Sequence, residues 1–133
     1  MPPRVLLIHG LLNAKSWLRP LATNLRRQGF DTELFGYSSL LDGPGRALPR
    51  LRERLSEDRF GAIVGHSLGG LIALEALRDA PTSTVTRVVC IGSPLRGSLT
   101  ARNIAARPWM RPLLGRSAQL MQGGLPPSAR DAA

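Results

Sequence analysis

The sequence predicts an α/β fold, a three-layer α/β/α sandwich built on a mostly parallel sheet of about four strands. Four short apolar runs cover residues 5–9, 32–37, 62–65 and 85–92. They lack strict alternation of apolar and polar residues, which is typical of strands covered on both faces. Helix-like segments separate the runs, as crossover connections between parallel strands require. A length of 133 residues with 43% hydrophobic residues fits a single globular domain.

The first helix is predicted between the first two runs, where four apolar residues are spaced to share one face: Trp17, Leu18, Leu21 and Leu25. Ser16 is the candidate N-cap and Gly29 the candidate stop of this helix. Pro20 limits the helix near its first turn, because proline is tolerated only there.

Two further helices follow from the spacing of apolar residues. Between Arg46 and Asp58, leucines recur at three- and four-residue intervals at positions 48, 51 and 55, which predicts a helix lying on the sheet with its opposite face in solvent. Residues 70–78 are apolar nearly all round, which predicts a helix packed in the middle of the domain. Pro81 is expected to close this helix.

The chain divides into a core and a basic tail. Residues 1–98 carry the four strands, whereas prolines break residues 99–133 into helical and coil pieces. The formal net charge is +9, and from Ser93 onward six arginines face the single acid Asp131. Such a surface could attract anionic lipid or polynucleotide, or the tail could lack its acidic neighbours. Because no nucleic-acid motif accompanies the charge, the second interpretation is favoured and no nucleic-acid partner is expected.

Several classes of protein are disfavoured by the sequence. The first apolar run is far too short for a signal-peptide core or a membrane span, so a cytoplasmic chain is expected. The single cysteine, Cys90, cannot form an internal disulfide, and its apolar neighbours predict a buried, inert thiol. No metal-ligand spacing is present, so no metal site is predicted.

The segment Gly65-His66-Ser67-Leu68-Gly69-Gly70 lies between an apolar run and an apolar helix, which predicts a serine on a strand-to-helix turn. Such a turn has strained backbone angles, and glycines two residues either side of the serine avoid clashes there. The positive end of the following helix would point at the turn. The backbone N–H of Leu68 would then face a developing oxyanion, with Ser67 as the nucleophile.

A second glycine-containing loop, His9-Gly10-Leu11, follows the first apolar run. The carboxyl ends of parallel strands are where sites form, so the N–H of Leu11 is the candidate second oxyanion donor, the alternative being a plain tight turn. The His9 ring is expected to pack and hydrogen-bond under the loop. The ring of His66 should point away from the hydroxyl of Ser67, because successive side chains in a strand face opposite ways.

These two segments and a third, Gly92-Ser93-Pro94-Leu95-Arg96-Gly97-Ser98, occur in this order after three strands. Together they resemble the α/β-hydrolase superfamily, and more closely its lipase and esterase members. The resemblance implies a partial α/β-hydrolase fold that hydrolyses carboxylic esters of small molecules or lipids, often through an acyl-enzyme, without a cofactor. It matches Ser67 to the nucleophile and Leu11 and Leu68 to the oxyanion donors.

The sequence departs from the family pattern after the nucleophile. The family places an acid and then a histidine on later loops, but here no histidine follows Ser67, and the only later acids are Glu75, Asp79 and Asp131. We therefore expect a fragment that ends after the fourth strand and has little activity. The alternative is a non-catalytic binding module of the same fold. An open sheet edge also predicts dimerisation or aggregation.

Overall fold

A computed structural model describes residues 2–10, 15–38, 41, 43–78, 80 and 83–93 of the chain. The strands are β1 Arg4–Ile8, β2 Asp31–Phe35, β3 Ala62–His66 and β4 Arg87–Ile91. The helices are α1 Arg19–Arg27, α2 Gly43–Glu57 and α3 Leu68–Arg78. The strands form one sheet in the order β2-β1-β3-β4, and all neighbouring pairs are parallel. The predicted α/β fold class is confirmed.

The register of the sheet brings the carboxyl ends of the strands together. Ile8 of β1 lies opposite Phe35 of β2 and Gly65 of β3, and His66 lies opposite Ile91 of β4. The loops that leave β1 and β3 therefore start from the same edge of the sheet. Both glycine-containing segments that the sequence singles out begin at this edge.

Helices cover the sheet on both faces. On one face, α2 and α3 pack against strands β1 and β3 through buried residues that include Leu6, Ile8, Leu51, Ile63 and Leu71. On the other face, α1 packs against β1 through Val5, Leu7, Leu18 and Ala22. The two clusters make the three layers that the sequence predicts, because each apolar strand must bury both of its faces.

The start of α1 differs from the prediction, whereas its end agrees. The chain enters the helix through a 3-10 turn at Lys15–Leu18, and Leu18 occupies the N-cap position without a side-chain capping bond. Ser16 as the cap is therefore wrong, and Trp17, 71% exposed, does not share the buried face. Gly29 ends the helix at φ +91°, with its N–H donating to the carbonyl of Arg26, as a left-handed glycine does after many helices.

Among the residues that the structure describes, helices pack against one face of strand β4 only. Its alternate residues Val88 and Cys90 pack against the α2–α3 side of the core. Val89 and Ile91 point to the other face and are 49% and 43% exposed. Cys90 is partly buried rather than fully buried as predicted, and burial raises the pKa of its thiol. In the part of the chain that the structure describes, β4 is an outer strand of the sheet.

A network of charged side chains joins the C-terminal end of α2 to strands β1 and β2. Arg4 pairs with Asp58 at 2.9 Å, and Arg54 also pairs with Asp58. Arg54 further donates to Glu33 at 2.6 Å. The hydrogen bond from Arg4, followed by that from Arg54, lowers the pKa of the Asp58 carboxyl. Both guanidinium groups also lie over the ring of Phe60, at 4.8 and 5.4 Å from its centre.

Candidate active site

Ser67 lies at the sharp turn between β3 and α3. Its φ is +52°, the only positive φ of a non-glycine residue in the described part of the chain. Its N–H donates to the carbonyl of Ile91 at 2.8 Å, which fixes the turn against the end of β4. A left-handed conformation costs a residue with a Cβ roughly 1–2 kcal/mol, so the surrounding structure must hold this strain. Strain of this kind is typical of a displayed nucleophile.

Three glycines let the backbone come close around this turn. A Cβ on Gly65 would overlap the backbone of Gly70 across the turn, and one on Gly69 would overlap the carbonyl of Ile8 in β1. A Cβ on Gly70 would overlap the hydroxyl oxygen of Ser93, just beyond β4. The start of α3 therefore packs directly on the backbone at the end of β1 and on the side chain of Ser93 beyond β4, because Gly69 and Gly70 carry no side chain.

The end of β1 lies against the turn at Ser67. A Cβ built on Gly10 would lie 2.8 Å from the Cβ of Ser67 and 2.9 Å from the carbonyl oxygen of His66. The two loops are thus in contact through the Cα of Gly10. Leu11, the candidate second oxyanion donor, lies outside the described residues, as do Pro94 to Ser98 of the third segment.

The first residues of α3 present backbone donors beside Ser67. Leu68 is the first helical residue, and N–H groups in the first turn of a helix have no acceptor within the helix. The N–H of Gly70 donates back to the carbonyl of Ser67 at 3.1 Å, so the turn leads directly into the helix. The positive end of the helix dipole lies at this point. A negative charge that develops next to Ser67 would be stabilised there.

His9 uses both of its ring nitrogens. The ring is 1% exposed, and its Nε2 accepts the N–H of Tyr37 at 3.2 Å. Because that nitrogen must be unprotonated, the proton is on Nδ1, which donates to the carbonyl of Gly10 at 2.9 Å. The ring stacks on Tyr37 with centres 4.3 Å apart. Burial lowers the pKa of His9 despite the hydrogen bond to Gly10, so the ring stays neutral at pH 7.

No described residue makes a hydrogen bond with the hydroxyl of Ser67, so none of the described residues is placed as a general base for it. Of the later acids, Glu75 lies on α3 and pairs with Arg78 at 3.1 Å. Asp79 and Asp131 lie outside the described residues. Within the described ranges there is no cluster of metal-binding side chains, and no helix in them has the length and apolar character to cross a membrane.

The contact of Tyr37 with His9 is not predicted by the sequence analysis. Tyr37 stands at the end of the second apolar run and was expected only to belong to a strand. In the structure it follows β2, is buried, and donates its hydroxyl to the carbonyl of His9 at 3.0 Å. A signal was present, since this is the only tyrosine of the chain and it follows a strand at the edge where sites form.

The neutral His9 predicts a pH dependence of folding. Its pKa is lowered in the folded chain, so the unfolded chain binds more protons as pH falls below about 6.5. The contribution of neutral His9 to the free energy of unfolding should be fully present above that pH. It should decrease as pH falls from 6.5 towards the pKa of His9 in the folded chain. Urea unfolding at several pH values between 5 and 7.5 measures this slope. His9→Gln, which cannot titrate, should flatten it, and a slope unchanged in that variant would contradict the prediction.

Comparisons with known proteins agree on the fold. A family model described as alpha/beta hydrolase family matches residues 5–132. A monoacylglycerol lipase from Paleococcus ferrophilus superposes with a TM-score of 0.62 at 20% identity, over 79% of this chain and 47% of that one. An extracellular alpha/beta-hydrolase from a Paenibacillus species superposes with a TM-score of 0.61 at 20% identity, over 76% and 46%. The chain thus spans less than half of either structure. No curated protein matches it in sequence.

Proposed function

Because the chain belongs to the α/β-hydrolase family, we propose that Ser67 is the nucleophile of a site that hydrolyses carboxylic esters. The observation that carries the proposal is the left-handed backbone at Ser67, directly between β3 and α3. A glycine would adopt this positive φ without the penalty that a Cβ carries, so the presence of a serine here calls for a reason. The strain is explained if the hydroxyl must be displayed.

The proposed reaction follows from the groups around the turn. The Ser67 oxygen attacks the ester carbonyl carbon while its proton passes to a base, and the carbonyl oxygen becomes an oxyanion. The N–H of Leu68, with the N–H of Leu11 as second donor, stabilises that charge. Collapse of the intermediate breaks the ester C–O bond, releases the alcohol and leaves an acyl-serine, which water then hydrolyses to the acid. No cofactor is needed for these steps.

The general base that would accept the proton of Ser67 is the component of the proposed site with the least support. Both nitrogens of His9 are engaged, and no histidine follows Ser67 in the sequence. Loss of the histidine lowers turnover in a serine hydrolase by on the order of 10⁶, with roughly 10³–10⁴ over water left from the oxyanion donors and binding. The chain by itself is therefore expected to turn over very slowly. The engaged His9 also favours the alternative function, a binding module that holds a ligand at this turn without chemistry.

The two functions are separated by covalent labelling. We expect a fluorophosphonate to label Ser67 slowly, and imidazole in the buffer to accelerate labelling by acting as the missing base. Ser67→Ala should abolish the label, and peptide mapping should find no label on Ser56, an exposed serine of α2. The absence of labelling in folded protein, with and without imidazole, would contradict a nucleophilic Ser67 and support the binding module.

The substrate class remains part of the proposal. One structural neighbour is named as a monoacylglycerol lipase and the other as an extracellular alpha/beta-hydrolase. For this chain we propose a small carboxylic ester as the substrate, and the length of its acyl chain is to be measured. Comparing p-nitrophenyl esters of short and long acyl chains, each corrected for the rate of Ser67→Ala, measures which length the site accepts.

A further inference from the structure

We propose that the outer face of α1 binds the surface of an anionic lipid bilayer, with its arginines on headgroup phosphates and Trp17 inserted between the headgroups. The observation that carries the proposal is unpaired positive charge on this helix beside an exposed tryptophan. The proposal goes beyond the reaction proposed for Ser67 and does not depend on it.

The chain before β2 carries positive charge only. Its first acid is Asp31, which pairs with Arg4 of β1 at 2.9 Å. Among the described residues, no carboxylate forms an ion pair with any of the three arginines of α1, whereas Arg54 of α2 pairs with Glu33. The described acids therefore leave the charge of α1 available to an anionic partner.

Two arginines of α1 lie on the side that faces away from the sheet. The helix buries Ala22 and packs Leu25 towards the strands, whereas Arg19, Thr23 and Arg27 are exposed. These three residues are spaced by four, so they align along the exposed side. Eight residues of helix span about 12 Å, so the two guanidinium groups can bind the phosphates of separate lipids.

Exposed aromatic side chains stand at both ends of α1. Trp17 lies in the 3-10 turn before the helix and is 71% exposed, and Phe30, shortly after the helix, is 37% exposed. Indole rings are enriched at the headgroup level of bilayers, because their apolar body and N–H donor both find partners there. A polynucleotide would also use the arginines, but the sequence carries no nucleic-acid motif. The charge and the aromatic rings together favour a lipid surface.

Trp17 lies towards the sheet edge that carries Ser67. The chain leaves β1 at Ile8 on this edge, passes through the 3-10 turn, and returns along α1 to Asp31 on the opposite edge. Insertion of Trp17 would therefore hold the edge with Ser67, rather than the opposite edge, closest to the lipid.

Co-sedimentation of the full chain with lipid vesicles tests the proposal. We expect binding to vesicles of equal parts phosphatidylcholine and phosphatidylglycerol, weakened by raised salt, and little binding to phosphatidylcholine alone. Each arginine near an anionic surface contributes on the order of fivefold, so Arg19→Gln with Arg27→Gln should lower binding by on the order of 25-fold. Trp17→Ala should lower binding several-fold. The absence of binding to the mixed vesicles would overturn the proposal.

The matched control removes the same charge from the other side of the sheet. Arg50 on α2 and Arg59 shortly after it are exposed, so Arg50→Gln with Arg59→Gln has the same net charge as the α1 double variant. We expect this control to lose only a few-fold in binding, and circular dichroism checks that both variants are folded. Equal losses in the two double variants would mean that net charge alone drives binding, and would overturn the role of α1.

Quenching of tryptophan fluorescence by brominated phosphatidylcholine in the mixed vesicles reports the insertion of Trp17. The chain has two tryptophans, so the quenching that is lost in Trp17→Phe belongs to this residue. Equal quenching in the wild type and Trp17→Phe would overturn the insertion. Retention on DNA that the α1 double variant abolishes, without binding to vesicles, would replace the lipid surface by a polynucleotide. Fluorophosphonate labelling of Ser67 tests the proposed function separately, since vesicle binding needs no nucleophile.

Discussion

Gly69→Ala is expected to lower the free energy of unfolding by about 3 kcal/mol, at the upper end of the usual penalty for overpacking. The added Cβ would overlap the carbonyl of Ile8 and come within 2.6 Å of that of His9. These atoms belong to the backbone of β1, so they cannot rotate away as the tip of a side chain could. Relief requires α3 to move off the sheet, where its buried residues pack. Urea unfolding followed by circular dichroism measures the loss.

Gly45→Ala is the matched control for this prediction. Gly45 lies in the first turns of α2, and a Cβ built on it meets no atom within 4 Å. Alanine is favoured over glycine in a helix by up to about 1 kcal/mol, so this variant should be as stable as the wild type or slightly more. Equal stability of the two variants would contradict the close approach of α3 to β1.

Much of this arrangement could be predicted from the sequence, because the physical causes are local. Buried parallel strands must be apolar on both faces, so four apolar runs predict four strands in a mostly parallel sheet, but not the order of the strands. Glycines spaced two residues from Ser67 predict the close approach at the turn, since a serine in this conformation leaves no room beside it. The end of α1 at Gly29 could also be predicted, because only glycine enters the left-handed region freely.

The errors arise where long-range packing decides the outcome. The spacing of Trp17 fits a helical face, but the residue lies in a 3-10 turn ahead of α1, where side chains follow a different period. The apolar run of β4 predicts burial on both faces, whereas Val89 and Ile91 are exposed on one. The contact of Tyr37 with His9 joins distant positions, so the sequence places Tyr37 at the edge of the sheet where sites form but does not specify its partner.

Ser67→Gly is expected to abolish labelling and yet stabilise the fold. Glycine removes the penalty of roughly 1–2 kcal/mol for a left-handed residue with a Cβ. Its greater conformational freedom stabilises the unfolded chain and offsets about 0.5–1 kcal/mol of that gain. The free energy of unfolding should therefore rise by about 0.5–1 kcal/mol. Ser67→Ala is the matched comparison, because it loses the hydroxyl but keeps the Cβ and the strain at φ +52°.

The pair separates two explanations of the strained turn. If the turn exists to display a hydroxyl, both variants lose the label, and only the glycine variant gains stability. Urea unfolding of the wild type, Ser67→Gly and Ser67→Ala at one pH gives the three free energies of unfolding. Both variants lose the hydroxyl, so the difference between them reports the effect of the Cβ alone. A glycine variant less stable than the alanine variant would mean that the Cβ of Ser67 contributes packing against Gly10 that outweighs the strain. The conformation would then be explained by packing, and it would no longer support a nucleophilic serine.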